Sequence, residues 1–93
     1  MTKHISNKNA RPLVEAEQEF EGSNLFARRG LTDYIVYSYG THWPLVAKVK
    51  GVWYVNTEKT SASTQRQLSQ CRPRHIDVVE VDRLGIRTVI NAA

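Results

Sequence analysis

The stretch Tyr34-Ile35-Val36-Tyr37-Ser38-Tyr39-Gly40-Thr41-His42-Trp43-Pro44-Leu45 decides how this chain is read. It holds three of the four tyrosines, one of the two tryptophans and a β-branched pair. Aromatic and β-branched side chains suit a half-buried pleated surface. Proline lacks the N–H that a ladder interior needs, so Pro44 belongs at the start of a strand. The stretch therefore predicts a strand, a turn at Gly40 and the opening of a second strand.

Downstream, Leu45 to Lys50 predicts a strand with Leu45, Ala47 and Val49 on its buried face and Lys48 and Lys50 on a solvated one. Lys50-Gly51 is short enough for a two-residue hairpin turn, with Val52 to Asn56 returning beside it. That turn sets Val49 against Val52, Ala47 against Tyr54 and Lys48 against Trp53. Lys48 and Trp53 then share the outer face. A cation beside an exposed indole is a platform for a stacked base. The plain alternative is a tryptophan covering an apolar gap under a lysine stem.

Upstream, Asn24 to Arg29 predicts the partner strand of a hairpin. It turns at Gly30-Leu31-Thr32-Asp33 and pairs with Tyr34 to Tyr39. Residues 12–21 read two ways. Pro12 can open a helix with Leu13, Ala16 and Phe20 on one face. But Glu15, Glu17, Glu19 and Glu21 alternate strictly with other residues, and a period of two favours an extended edge strand with four solvated carboxylates. Residues 1–11 are polar and predict a flexible arm, leaving 12–93 as one domain. The functional reading of that arm is a basic segment that orders on a phosphate backbone.

After Asn56 comes a hydroxyl-rich run ending at Arg74. Thr64 and Gln67 have the spacing of a capping box, and Leu68 and Cys71 lie where one short helix would rest them on the sheet. Pro73 stops that helix. Arg66, Gln70, Arg72 and Arg74 are side chains of the kind that contact phosphates and base edges. The plain reading is a solvated helix. Ile76 to Val81 predicts a strand. Asp82 is a candidate N-cap for a helix over 83–91, with Leu84, Ile86, Val89 and Ile90 facing inward. Gly85 leaves a hairpin as the rival. The fold expected is a small α+β domain, a mainly antiparallel β-sheet with one or two short helices.

Ninety-three residues make one domain with one modest core. The net charge is +4, from thirteen Lys and Arg against nine Asp and Glu. A positive surface attracts nucleic acid, acidic proteins or anionic membranes, and it also serves plain solubility. Cys71 is the lone cysteine, which excludes an intrachain disulfide and a cysteine cluster for metal. Arginines 66, 72 and 74 are near enough in sequence to activate it. The helix reading instead buries it as an inert core thiol. His4, His42 and His75 stand in separate segments, so no zinc site is expected, and the single glycines make no phosphate loop. No apolar h-region or membrane-length run is present, so neither a signal peptide nor a membrane role is expected. These features point away from an enzyme: no catalytic pair, no metal, no cofactor.

Residues 34–45, then Trp53-Tyr54-Val55-Asn56, then the hydroxyl run closing with Ser69-Gln70-Cys71-Arg72-Pro73, resemble a group of small phage-encoded domains. Those domains carry a YVVYSYG-HWPL strand, a W-x-x-N strand and an S-x-x-RP ending. A histidine often follows their hydroxyl run, where this chain has Arg66-Gln67. The resemblance covers residues 34–73 and implies a phage source more than an activity, with the host cytoplasm as the place of action. Small phage proteins without enzymatic motifs are often inhibitors of host machinery, anti-CRISPR proteins among them by class analogy. A basic inhibitor would dock on a host protein or ribonucleoprotein complex, with its guide RNA as a contact, rather than imitate DNA. The binding residues expected are Lys48, Lys50, Trp53, Arg66, Gln70, Arg72 and Arg74. The alternatives are a free-standing single-stranded nucleic-acid binder and a structural or assembly protein of the virion.

Overall fold

The computed structural model describes residues 3–40, 43–58, 62–74 and 76–92. Its elements in chain order are β1 (Lys3–His4), a 3-10 turn (Asn7–Asn9), α1 (Ala10–Glu15), β2 (Phe20–Glu21), β3 (Leu25–Arg29), β4 (Asp33–Ser38), β5 (Pro44–Val49), β6 (Val52–Asn56), α2 (Ala62–Cys71), β7 (Val78–Val81) and α3 (Arg83–Ala92). The strands form one sheet whose spatial order is their chain order. From β2 to β6 every neighbour is antiparallel. The outermost strands β1 and β7 are parallel to β2 and β6. The chain is therefore a small α+β domain with a mainly antiparallel sheet, carrying three short helices among the described residues where one or two were expected.

The β5–β6 hairpin has the expected register, Val49 with Val52, Ala47 with Tyr54 and Lys48 with Trp53. Lys50 and Gly51 both have positive φ, 52° and 81°. That is the pattern of a type I′ turn, whose twist matches the strands it joins. β5 opens at Pro44 as proline requires, and the Asn56 amide donates to the Pro44 carbonyl at 2.9 Å. A register shift between Val36 and Tyr37 inserts Leu45 as an extra residue, so Leu45 and Val46 both reach one core cluster.

The sheet is covered on two sides. On one, Ala10 and Val14 of α1 and Cys71 and Leu68 of α2 pack on Phe20, Leu25, Ala27, Tyr34, Val36, Val46 and Trp53. On the other, Ile86, Val89 and Ile90 of α3 pack on Ile35, Ala47 and Val49. Each fully buried large apolar side chain contributes roughly 1.5–3 kcal/mol. Asp82 caps α3 as expected, its carboxylate accepting from the Gly85 N–H at 2.7 Å. Leu84 departs from the expected inner face and is 74% exposed.

Three expectations are corrected. Residues 12–21 are not one edge strand: α1 ends, the chain reverses through Glu17 at φ 56°, and only Phe20–Glu21 is extended. The four glutamates do not line a solvated face, because each accepts a hydrogen bond. Glu15 and Glu19 take the backbone N–H groups of Arg74 and Arg29, Glu17 takes Lys48, and Glu21 takes Arg28. From Lys3 on, the segment expected as an arm is part of the fold: β1 pairs with β2, and Ala10 is fully buried. Thr64 and Gln67 do not form a capping box at the start of α2, since the helix already runs from Ala62 and both residues lie on its buried face. The Gln67 carbonyl accepts from the Ser38 hydroxyl, while its amide nitrogen has no partner among the described residues. Arg11 closes the far end of α2, its Nε donating to the Arg72 carbonyl at 2.8 Å and its Nη2 to the Ser69 carbonyl. A cation there satisfies orphan carbonyls and complements the helix dipole.

Candidate nucleic-acid interface

The structure separates the residues expected to bind. Trp53 is 6% exposed, meets Tyr34 edge-on at 6.2 Å and lies under the helices of the first core. Lys48 does share its face, 5.6 Å from the indole centroid, but its ammonium is bound to Glu17 at 2.8 Å. This corrects the outer platform. Both faces of the central sheet are covered, so alternating lysines do not mark solvent here. Lys50 sits exposed in the β5–β6 turn at one end of the sheet. Arg66 is exposed and Gln70 half-buried, one turn apart on α2. Arg72 is paired with Glu80 at 2.9 Å, and Arg74 is exposed just beyond Pro73. Arg66, Gln70 and Arg74 thus belong to the α2 side, apart from Lys50. His42 and His75 lie outside the described residues.

Cys71 is fully buried, and burial pushes its thiol up to about 12. It is an inert core group. Tyr34 is likewise raised by burial, with Cys71, Glu17 and Glu19 adding to the effect, and its hydroxyl donates to the Gln18 carbonyl at 2.8 Å.

The side of the sheet that carries α3 is only partly roofed. α3, the one helix found there among the described residues, packs on β5, β6 and β7. Towards β3 and β2 the surface bears Phe26, Tyr37, Arg28 and Glu21. Phe26 and Tyr37 are register partners, and their rings stack at 5.2 Å with 27° between planes. The Arg28 guanidinium lies 5.1 Å over the Phe26 ring and is steadied by Glu21 at 3.0 Å. Burial and Asp33 raise the Tyr37 phenol, so it stays a neutral donor. On α3, Arg83 and Arg87 stand one turn apart, and the helix has no acidic residue. Arg83 covers the Trp43 ring at 4.9 Å, and Arg87 is exposed. Stacked rings with an arginine over one of them can hold a planar π system and a nearby anion.

Comparison with known proteins finds no matching family, no matching curated protein and no matching solved structure. The reading of this surface therefore stands on its geometry.

Beside the stack, a groove of about 310 Å³ is lined by Glu21, Ser23, Asn24, Phe26, Arg28 and Tyr39. A second, of about 340 Å³, runs between α2 and the end of β6. In that second groove Arg72 is held by Glu80, and the Asn56 amide is engaged with Pro44 and Glu58. Phe26, Tyr37 and Arg28 were missed as site residues although a signal was present. A hairpin turning at residues 30–33 necessarily sets Phe26 opposite Tyr37.

Proposed function

We propose that this protein is a binding domain whose ligand is single-stranded nucleic acid, reached on the partly roofed face of the sheet. One observation carries this: the Phe26–Tyr37 stack with Arg28 above it, on the partly roofed side of the sheet. Aromatic side chains bind any base through its π face at roughly 1–3 kcal/mol each, and arginines supply the phosphate attraction. The resemblance, by class analogy, puts an inhibitor of a host defence complex first. We place the nucleic-acid binder first because the sheet face offers a stacking surface built from residues outside the expected set. The two readings meet in one setting, where a phage-encoded inhibitor contacts the guide RNA of a host nucleoprotein. Support for that setting is the resemblance over residues 34–73 and the positive charge.

The test is titration of labelled oligo-dT and oligo-rU over a range of salt. Affinity is expected to fall steeply with salt and by roughly tenfold or more in Phe26→Ala with Tyr37→Ala. Charge reversal at Arg66 and Arg74 should matter less. Binding indifferent to both salt and the aromatic pair would remove the reading. Co-purification from host cells, with and without ribonuclease, then decides whether a protein complex is also engaged.

A further inference from the structure

Tyr39 is 64% exposed and has φ 64°, in the left-handed region that bulky residues seldom enter. Such a conformation costs about 1–3 kcal/mol unless the surroundings impose it. They do so here. The Tyr39 N–H donates to the Asn24 carbonyl at 2.8 Å, and the Asn24 amide donates to the Tyr39 hydroxyl at 3.2 Å. Asn24 is fixed in turn by the Asn7 amide at 2.5 Å, and Asn7 accepts from the Ser23 N–H at 3.1 Å. The ring so held lines the groove that Phe26, Arg28 and Glu21 line from the other side. The turn that holds this conformation, closed by the Gly40 N–H donating to the Ser38 carbonyl at 2.7 Å, leaves most of the tyrosine's surface facing solvent.

Resting on the reading above, we infer that this groove is a subsite for one unpaired nucleobase, and that Tyr39 is its stacking residue, presented by Asn24 and Asn7. At about 310 Å³ the groove suits one ring system. Arg28 at one wall attracts the anionic backbone, while the carboxylate of Glu21 can accept from a base N–H, which thymine and uracil present at N3. The Phe26–Tyr37 stack takes the neighbouring base, so the two places together read consecutive bases of one strand.

The test is Tyr39→Gly, compared with wild type, Tyr39→Trp and the Phe26→Ala, Tyr37→Ala pair. Glycine adopts φ 64° without penalty, so thermal stability should hold or rise. Oligonucleotide affinity should fall roughly five- to a hundredfold. Tyr39→Trp should keep or raise affinity, and 2-aminopurine in the bound strand should be quenched by wild type and not by Tyr39→Gly. If Tyr39→Gly binds oligo-dT and oligo-rU as wild type does while the Phe26, Tyr37 pair does not, the subsite is wrong and the wider proposal survives. If Tyr39→Gly loses stability and keeps affinity, Tyr39 is structural. If wild type binds neither oligonucleotide, both proposals fall.

Discussion

The Lys48 ammonium donates to the Glu17 carboxylate at 2.8 Å across thirty-one residues of sequence. Both side chains are 29% exposed, so the pair is neither a free surface bridge nor fully dry. It ties the residue that ends the α1 turn to the middle of β5. Removing the lysine with Lys48→Met should cost about 1 kcal/mol in urea unfolding. Glu17 adds a sign test, since its φ is 56°. Glu17→Gly should be less damaging than Glu17→Ala, because glycine recovers backbone strain. Neither change should alter oligonucleotide affinity, as Lys48 faces the α1 side.

Asp82 holds the start of α3 through Gly85. Asp82→Ala should destabilise by about 1 kcal/mol, and Asp82→Asn or Asp82→Ser by less. Hydrogen exchange should report the loss first in α3 amides, and the stability deficit should be the same in high salt if the hydrogen bond dominates over the dipole.

The buried thiol sets an alkaline limit. Cys71 ionises in the folded chain at about 12, against 9.0 for the exposed group. The unfolded chain therefore releases that proton first, so stability is complete below pH 9 and falls as pH rises towards 12. At pH 10 the loss from this residue is about 1 kcal/mol. Tyr34 acts in the same direction at higher pH. Cys71→Ala should be less stable at pH 7 because of the cavity, yet its stability should vary less between pH 8 and pH 10, as measured by urea denaturation.

Gly22 faces Asn7 so closely that an added Cβ would collide with the asparagine oxygen. Gly22→Ala should push the Asn7 side chain off its Ser23 and Asn24 partners and crowd the Leu25 carbonyl, at a cost of about 1–2 kcal/mol. Its larger effect should be on oligonucleotide affinity, because Asn24 and then Tyr39 lose their support. Asn7→Ala should reproduce the affinity loss.

The strands and hairpins were legible because their turns are local. Lys50-Gly51 and Gly30 to Asp33 each fix a register within a few residues. Exposure was not legible, because it depends on where distant helices land. Lys48 reads as solvated only until Glu17 pairs with it, and Trp53 reads as a platform only until the first core closes over it. The glutamate run misled for a related reason. Each carboxylate was drawn out of the periodic pattern by a partner from another segment: Arg74, Lys48, Arg29 or Arg28. Phe26 and Tyr37 were placed opposite one another by sequence, yet only the extent of α3 leaves them half-exposed.

The spatial order of the strands, identical to their order along the chain, bears on how the molecule assembles in time. Each neighbour from β2 to β6 is reached through a short reversal, which keeps loop-closure entropy low and favours rapid formation of the central hairpins. The outermost strands are different, since parallel pairing forces the chain to travel back before it can register. β7 and α3 are therefore expected to join late. Substitutions in the Gly30 and Gly51 reversals should slow refolding, whereas those in β7 and α3 should chiefly speed unfolding. The helix that bounds the aromatic face would thus be set in place as the last act of folding, and the binding surface would be complete only when the chain is.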